Sequence, residues 1–138
     1  MVNKILIVED ETDLIKLLKY NLKKEGFKVN YTSDGSVALA EVRRDRPDLV
    51  ILDLSLPQVN GWEVLRSLRA DTSTRALPVL VITGVEVGRG DEILTAGADE
   101  FLAKPFSVPV LVSTVQRLLE QGPFADRVRG WQTLARTS

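Results

Sequence analysis

Apolar residues along this chain follow two alternating rhythms. Short continuous runs (Ile5-Leu6-Ile7-Val8, Leu49-Val50-Ile51-Leu52 and Val79-Leu80-Val81-Ile82) are separated by stretches in which apolar residues recur every three or four positions. A short unbroken run of branched side chains fits a strand buried on both faces, and the longer period fits an amphipathic helix. The pattern predicts strands over residues 4–8, 27–31, 48–53, 77–83 and 100–103. Between and after them it predicts helices over 12–25, from Asp34-Gly35 to just before Pro47, over 61–70, between Gly88 and Ala96, and over 107–121. In the first helix Leu14, Leu18 and Leu22 form the apolar stripe, widened by Ile15 and Leu17. Lys16, Lys19, Lys23 and Lys24 lie off that stripe, and Gly26 is the stop. Phe27-Lys28-Val29-Asn30-Tyr31 alternates, as a half-exposed edge strand does. Strands alternating with helices imply an α/β fold, a parallel sheet covered on both faces with right-handed crossovers.

The chemistry sits where these runs stop. A strand buried along its length cannot carry an unpaired charge, because desolvation costs too much. It can present one where it emerges at its C-terminal end, which is where open α/β sheets bind ligands. The first run stops at Glu9-Asp10, the third strand at Asp53, the fourth at Thr83, and the fifth just before Lys104-Pro105. Singly, these are ordinary loop acids, a turn residue, a strand-end threonine and a surface lysine. Jointly they put three carboxylates, a hydroxyl and an ammonium on one rim. That set suits a hard cation and a phosphoryl group.

Composition narrows the chemistry further. The 138 residues suffice for one domain with a sizeable core, and 44% apolar with 27% charged content is ordinary for a globular chain. A net charge of −1 gives no electrostatic footprint for nucleic acid or an anionic membrane. There is no cysteine and no histidine. Disulfides, thiolate or imidazole catalysis and nitrogen or sulfur metal ligands are thereby excluded, leaving oxygen ligands and metals such as magnesium, manganese or calcium. No apolar stretch reaches membrane-span length and no signal-peptide core stands at the N-terminus, so a cytoplasmic location is expected.

The residues also carry a family resemblance. Ile7-Val8-Glu9-Asp10-Glu11, Leu52-Asp53-Leu54-Ser55-Leu56-Pro57 with Gly61, Ile82-Thr83-Gly84, Gly97-Ala98-Asp99 and Lys104-Pro105-Phe106 together resemble the receiver domain of bacterial two-component response regulators, over residues 3 to 121. The resemblance implies a doubly wound, flavodoxin-like five-stranded parallel sheet in the order 2-1-3-4-5. It implies that Asp53 is the phosphoacceptor. The donor would be a phosphohistidine on a sensor histidine kinase or a phosphotransfer protein, necessarily another molecule because this chain has no histidine. Mg2+ (or Mn2+) would be held by Asp10, Asp53 and the backbone carbonyl of Ser55, with Glu9 acting through water. Thr83, Gly84 and Lys104 would contact the phosphoryl group, and Phe101 would be the switch aromatic on the fifth strand. Lys104-Pro105 is a cis-peptide candidate. The expected role is a signalling switch controlling a protein partner through the fourth helix, fifth strand and fifth helix, and not an enzyme with a separate substrate.

Some residues depart from the family pattern. Gly84, Gly88 and Gly90 crowd the start of the fourth helix, and each glycine costs roughly 1 kcal/mol against alanine inside a helix. That helix is expected to be short and mobile. The fifth helix begins Val108-Pro109-Val110-Leu111-Val112 and has Thr114 where the DNA-binding subclass would carry an arginine. Its charged pairing network is therefore not expected, nor direct nucleic-acid binding. Ser55 and Val85 occupy the positions that tune dephosphorylation in the family. The domain reading is a receiver over 1–121 and a tail over 122–138, in which Phe124, Val128, Trp131 and Ala135 share one helical stripe. The tail is read as a short amphipathic helix or a linker stub, with a homodimer through the fifth helix or the tail as an option. Either the chain works alone through a protein partner, or it is the receiver part of a longer regulator.

Two other functions share parts of this pattern. A flavodoxin-like cofactor binder needs a glycine- or hydroxyl-rich phosphate cradle after the first strand, where this chain has Glu9-Asp10-Glu11. An aspartate-nucleophile phosphohydrolase would want an acid two residues after Asp53, and Ser55 stands there.

Overall fold

The computed structural model describes residues 2–56, 59–84 and 90–121. Five parallel strands, β1 (Lys4–Val8), β2 (Lys28–Thr32), β3 (Leu49–Asp53), β4 (Val79–Thr83) and β5 (Glu100–Ala103), lie in the order 2-1-3-4-5. Five α-helices alternate with them: α1 (Thr12–Lys24), α2 (Ala38–Asp45), α3 (Gly61–Ala70), α4 (Gly90–Thr95) and α5 (Val108–Glu120). A 3-10 turn over Gly35–Val37 leads into α2.

Alternate residues of each buried strand face opposite layers, so the two-fold period of a strand produces two cores. Leu6, Val8, Val50, Leu52, Val79 and Val81 pack with Val42 of α2, Leu65 and Leu68 of α3 and Ile93 of α4. Ile5, Ile7, Leu49, Ile51, Leu80 and Ile82 pack with Leu18 and Leu22 of α1 and with Leu111, Val115 and Leu118 of α5. The sequence-predicted elements all form among the described residues, with ends shifted by one or two positions in most of them. Leu17 is a correction to the predicted stripe: it is 45% exposed, because the α1 core line runs through Ile15, Leu18 and Leu22. The half-exposed edge character of β2 is as predicted. α4 has six described residues, Gly90–Thr95. Thr114, in the expected arginine position, is buried and bonds the carbonyl of Val110, so the face of α5 carries no charge there.

Parallel strands send all their carboxyl ends to one rim. The chain steps outward from β1 to β2, then returns across β1 to β3. The reversal opens a crevice between the ends of β1 and β3, the switch point at which ligands bind in such sheets.

Candidate functional site

Glu9 and Asp10 follow β1 directly, and Asp53 is the last residue of β3. Their register puts Val8 beside Leu52, so the two acidic ends are neighbours across the crevice. One carboxylate oxygen from each of Glu9, Asp10 and Asp53 lies within 4.8 Å of the others. Glu9 is fully buried and Asp53 is 2% exposed, whereas Asp10 faces solvent.

Lys104 closes the site from β5. Its backbone N–H donates to the carbonyl of Thr83 at 2.8 Å, which fixes its place beside the end of β4. Its ammonium donates to Glu9 Oε1 at 2.7 Å and Asp53 Oδ2 at 3.1 Å, and lies 3.7 Å from a Glu11 carboxylate oxygen. The other Asp53 oxygen, Oδ1, accepts from the Ser55 N–H at 2.8 Å. Glu9 Oε2 accepts from the Asp10 and Glu11 N–H groups at 2.9 and 3.4 Å. The peptide bond between Lys104 and Pro105 is cis, as expected.

These carboxylates crowd around a single ammonium, and the electrostatics register it. Burial, then Asp53, push the Glu9 carboxyl up to about 7 against the opposing pull of Lys104. Burial depresses the Lys104 ammonium, but Glu9 and Asp53 outweigh it and hold its pKa above the ordinary lysine value. The cluster is an all-oxygen donor set short of positive charge. That is the chemistry of a magnesium site, which uses one or two carboxylates and leaves positions for phosphate oxygens.

The loop after Asp53 is pressed against the start of α3. A Cβ on Gly61 would lie 2.4 Å from Leu54 Cα and 2.8 Å from the Asp53 carbonyl oxygen, so only glycine allows this approach. Asn60 caps α3 by accepting from the Trp62 N–H at 2.9 Å, a contact typically worth about 1 kcal/mol. Thr83, 2% exposed, ends β4 at the rim, and Gly84 follows it, exposed, with open space where a side chain would be. Phe101 pairs in register with Val81 and packs on the α2–α3–α4 side. The structure thus brings Glu9, Asp10, Asp53 and Lys104 together directly, with the Ser55 N–H on Asp53 and the Thr83 carbonyl on the Lys104 backbone. Phe101 stands apart from this group on the helix layer. Pro57, Val85, Gly88 and the tail lie outside the described residues. The sequence reading missed the bonds from Lys104 to Glu9 and Asp53 and the proximity of Glu11. The acidic run Glu9-Asp10-Glu11 opposite a lone strand-end lysine was the available signal.

Known proteins resemble this chain in sequence and fold. The model of the response regulator receiver domain matches residues 5–116. The chain is 41% identical over 126 residues to the phosphate regulon transcriptional regulatory protein PhoB of Rhizobium meliloti, covering 88% of this chain and 54% of that protein. It is 38% identical over 128 residues to the response regulator PleD of Caulobacter vibrioides, covering 91% of this chain and 28% of PleD. The chain therefore spans about half of one relative and under a third of the other. Among solved structures, the chemotaxis response regulator CheY4 of Vibrio cholerae superposes with a TM-score of 0.79 at 29% identity, covering 86% of this chain and 99% of that one. The sheet order, the acidic crevice and these matches agree: the chain belongs to the receiver-domain family of two-component response regulators, whose work is phosphorylation-dependent signalling.

Proposed function

We propose that Asp53 accepts a phosphoryl group from a phosphohistidine of a sensor histidine kinase or a phosphotransfer protein. An Asp53 carboxylate oxygen forms the new O–P bond as the donor's N–P bond breaks, and the histidine nitrogen keeps the electron pair. The observation that carries this reading is the position of Asp53: it ends a wholly buried strand, grouped with Glu9 and Asp10 and bonded to Lys104. Asp10, Asp53 and the Ser55 carbonyl, with Glu9 beside them, would hold Mg2+ (or Mn2+). When bound, the cation neutralises charge on the carboxylates and the phosphoryl oxygens.

The remaining steps belong to this chain's own groups. Lys104 exchanges its Asp53 bond for a phosphoryl oxygen, keeping its ammonium at the site through Glu9. The Thr83 hydroxyl donates to a second phosphoryl oxygen, beside Gly84, where open space admits the group. The movement of Thr83 is read out by Phe101, and through it by the surface of α4, β5 and α5. Phosphoryl transfer of this kind rests on positioning and charge neutralisation. The output is control of a protein partner, which the start of α5, apolar where charges would pair DNA-binding chains, favours over a direct contact with nucleic acid. The reading assigns no turnover of a separate substrate and places the chain in the cytoplasm, where kinase donors act. In the described residues no helix is long and apolar enough to cross a membrane.

Labelling by acetyl phosphate with magnesium, or by a kinase, tests the assignment. Asp53→Asn should take no label. Undiminished, acid-stable label on that variant overturns it.

A further inference from the structure

Gly90 is the first described residue of α4, and the aromatic ring of Phe101 lies directly on it. A Cβ added there would stand 2.5 Å from Phe101 Cζ and 2.9 Å from Cε1, closer than carbon atoms tolerate. By sequence this glycine is only a weakness in the helix. In the fold it is the space that the ring fills. Phe101 is partly buried, reaching the α4 layer from β5 beside Val81, two residues before Thr83. In this arrangement Asp53 Oδ2 accepts from the Lys104 ammonium at 3.1 Å.

We infer that Gly90 is a positioning residue for the phosphotransfer switch: its bare backbone seats the Phe101 ring in the resting arrangement and so sets how easily the chain passes to the phosphorylated one. The inference rests on the proposed role of Asp53 and Thr83 and adds the determinant of their resting state. A methyl group at position 90 evicts the ring. The clash falls on the far end of the side chain, so the ring gives way by tilting or by changing its χ1 well, and either loosens its seat. Burial favours a position of the ring nearer the core it already packs against over full exposure to water. A ligand-competent state that is a minor species at rest gains apparent reactivity in proportion to its population.

The test uses the full chain and four forms: unchanged, Gly90→Ala, Phe101→Leu, and both together. Each is labelled with acetyl phosphate and magnesium, with ring-proton NMR of Phe101 where present and melting temperature as the check on folding. Gly90→Ala should shift the Phe101 ring signals and speed labelling by about threefold to tenfold. With Phe101→Leu in place, the same alanine should change the rate by less than about 1.5-fold, since the evicted ring atoms are gone. The double form also keeps the test open if Gly90→Ala alone folds poorly, because leucine relieves the clash. An unchanged or slower rate in Gly90→Ala, or an equal gain in both backgrounds, overturns the inference. Equal gains would mean that alanine acts through helix propensity. Failure of the unchanged chain to take label, with the ring signals still moving in Gly90→Ala, would defeat the Asp53 reading and leave the ring seat standing.

Discussion

Two part-buried ion pairs sit at opposite ends of the sheet, and they are built on opposite plans. At the amino end of β4, Arg69 of α3 meets Asp99 with side-chain exposures of 12% and 2%. Its guanidinium donates to the carbonyls of Gly97 at 2.8 Å, Arg75 at 3.1 Å and Leu77 at 2.5 Å, and to Asp99 Oδ2 at 3.0 Å. Asp99 Oδ2 also accepts from the Val79 N–H at 2.7 Å. Donors and acceptors are matched and the charges cancel. At the carboxyl end Lys104 serves Glu9 and Asp53 with Glu11 close by, and Asp10 completes the acidic group. Here charge is left over. The first cluster ties three chain segments together and asks for nothing more. The second has negative charge left for something positive to match, as the proposed phosphoacceptor site requires.

The contrast predicts different responses to losing the cation. Arg69→Ala leaves Asp99 buried without its countercharge and frees three carbonyls, so it should cost about 3–5 kcal/mol of folding stability. Magnesium should not restore it. Lys104→Ala also strands buried carboxylates, but Glu9, already raised to about 7, can take up a proton, so it should cost about 1–2 kcal/mol, recovered by millimolar magnesium. Denaturant unfolding of both variants with and without the metal separates them. Magnesium rescue of Arg69→Ala, or its absence in Lys104→Ala, would erase the distinction.

The charge deficit also carries a pH signature. Glu9 is raised from the ordinary 4.5 to about 7 in the fold, by burial first and then by Asp53, against Lys104. A carboxyl raised in this way folds preferentially with its proton. Metal-free stability should therefore fall as pH rises from about 4.5 through about 7 and then level off. Magnesium competes for the same deprotonated oxygens, so its apparent affinity should be roughly thirtyfold weaker at pH 5.5 than at pH 8. Melting temperature against metal concentration at both pH values measures this. Asp10→Ala should abolish the response, and a flat profile in the unchanged chain would contradict a buried, proton-holding Glu9.

The smallest effect concerns the tail, whose Phe124, Val128, Trp131 and Ala135 stripe lies outside the described residues. A helix docking that stripe on the start of α5, where Val110 is 48% exposed, would gain about 1 kcal/mol after ordering costs. Truncation after Gln121 should lower the melting temperature slightly or change the mass in solution. No change in either, together with the emission of a solvated indole at Trp131, removes the docking idea.

What could be read in the sequence was local. The carboxylates of Glu9, Asp10 and Asp53 announced themselves because each ends an apolar run, and strand ends in a parallel sheet must share a rim. Leu17 misled because Leu14, Ile15, Leu17, Leu18 and Leu22 offer more than one stripe along α1, and only packing against β2 and α5 chooses one. Asp99 stood out only as the end of the Gly97-Ala98-Asp99 motif, and its pairing with Arg69 gave no signal: the two are 30 residues apart and of types common on surfaces. Gly90 was legible as a helix-weakening residue but not as a space, since the ring that fills it comes from another element.

The bonds that complete the rim span most of the chain: Lys104 lies 95 residues from Glu9 and 51 from Asp53. During synthesis the amino-terminal strands emerge first, at about 5–20 residues per second. A nascent chain short of β5 displays its acids without their ammonium. On the proposed reading of Asp53, competence to receive a phosphoryl group arrives only with β5, and a copy whose chain stops short of that strand is silent by construction.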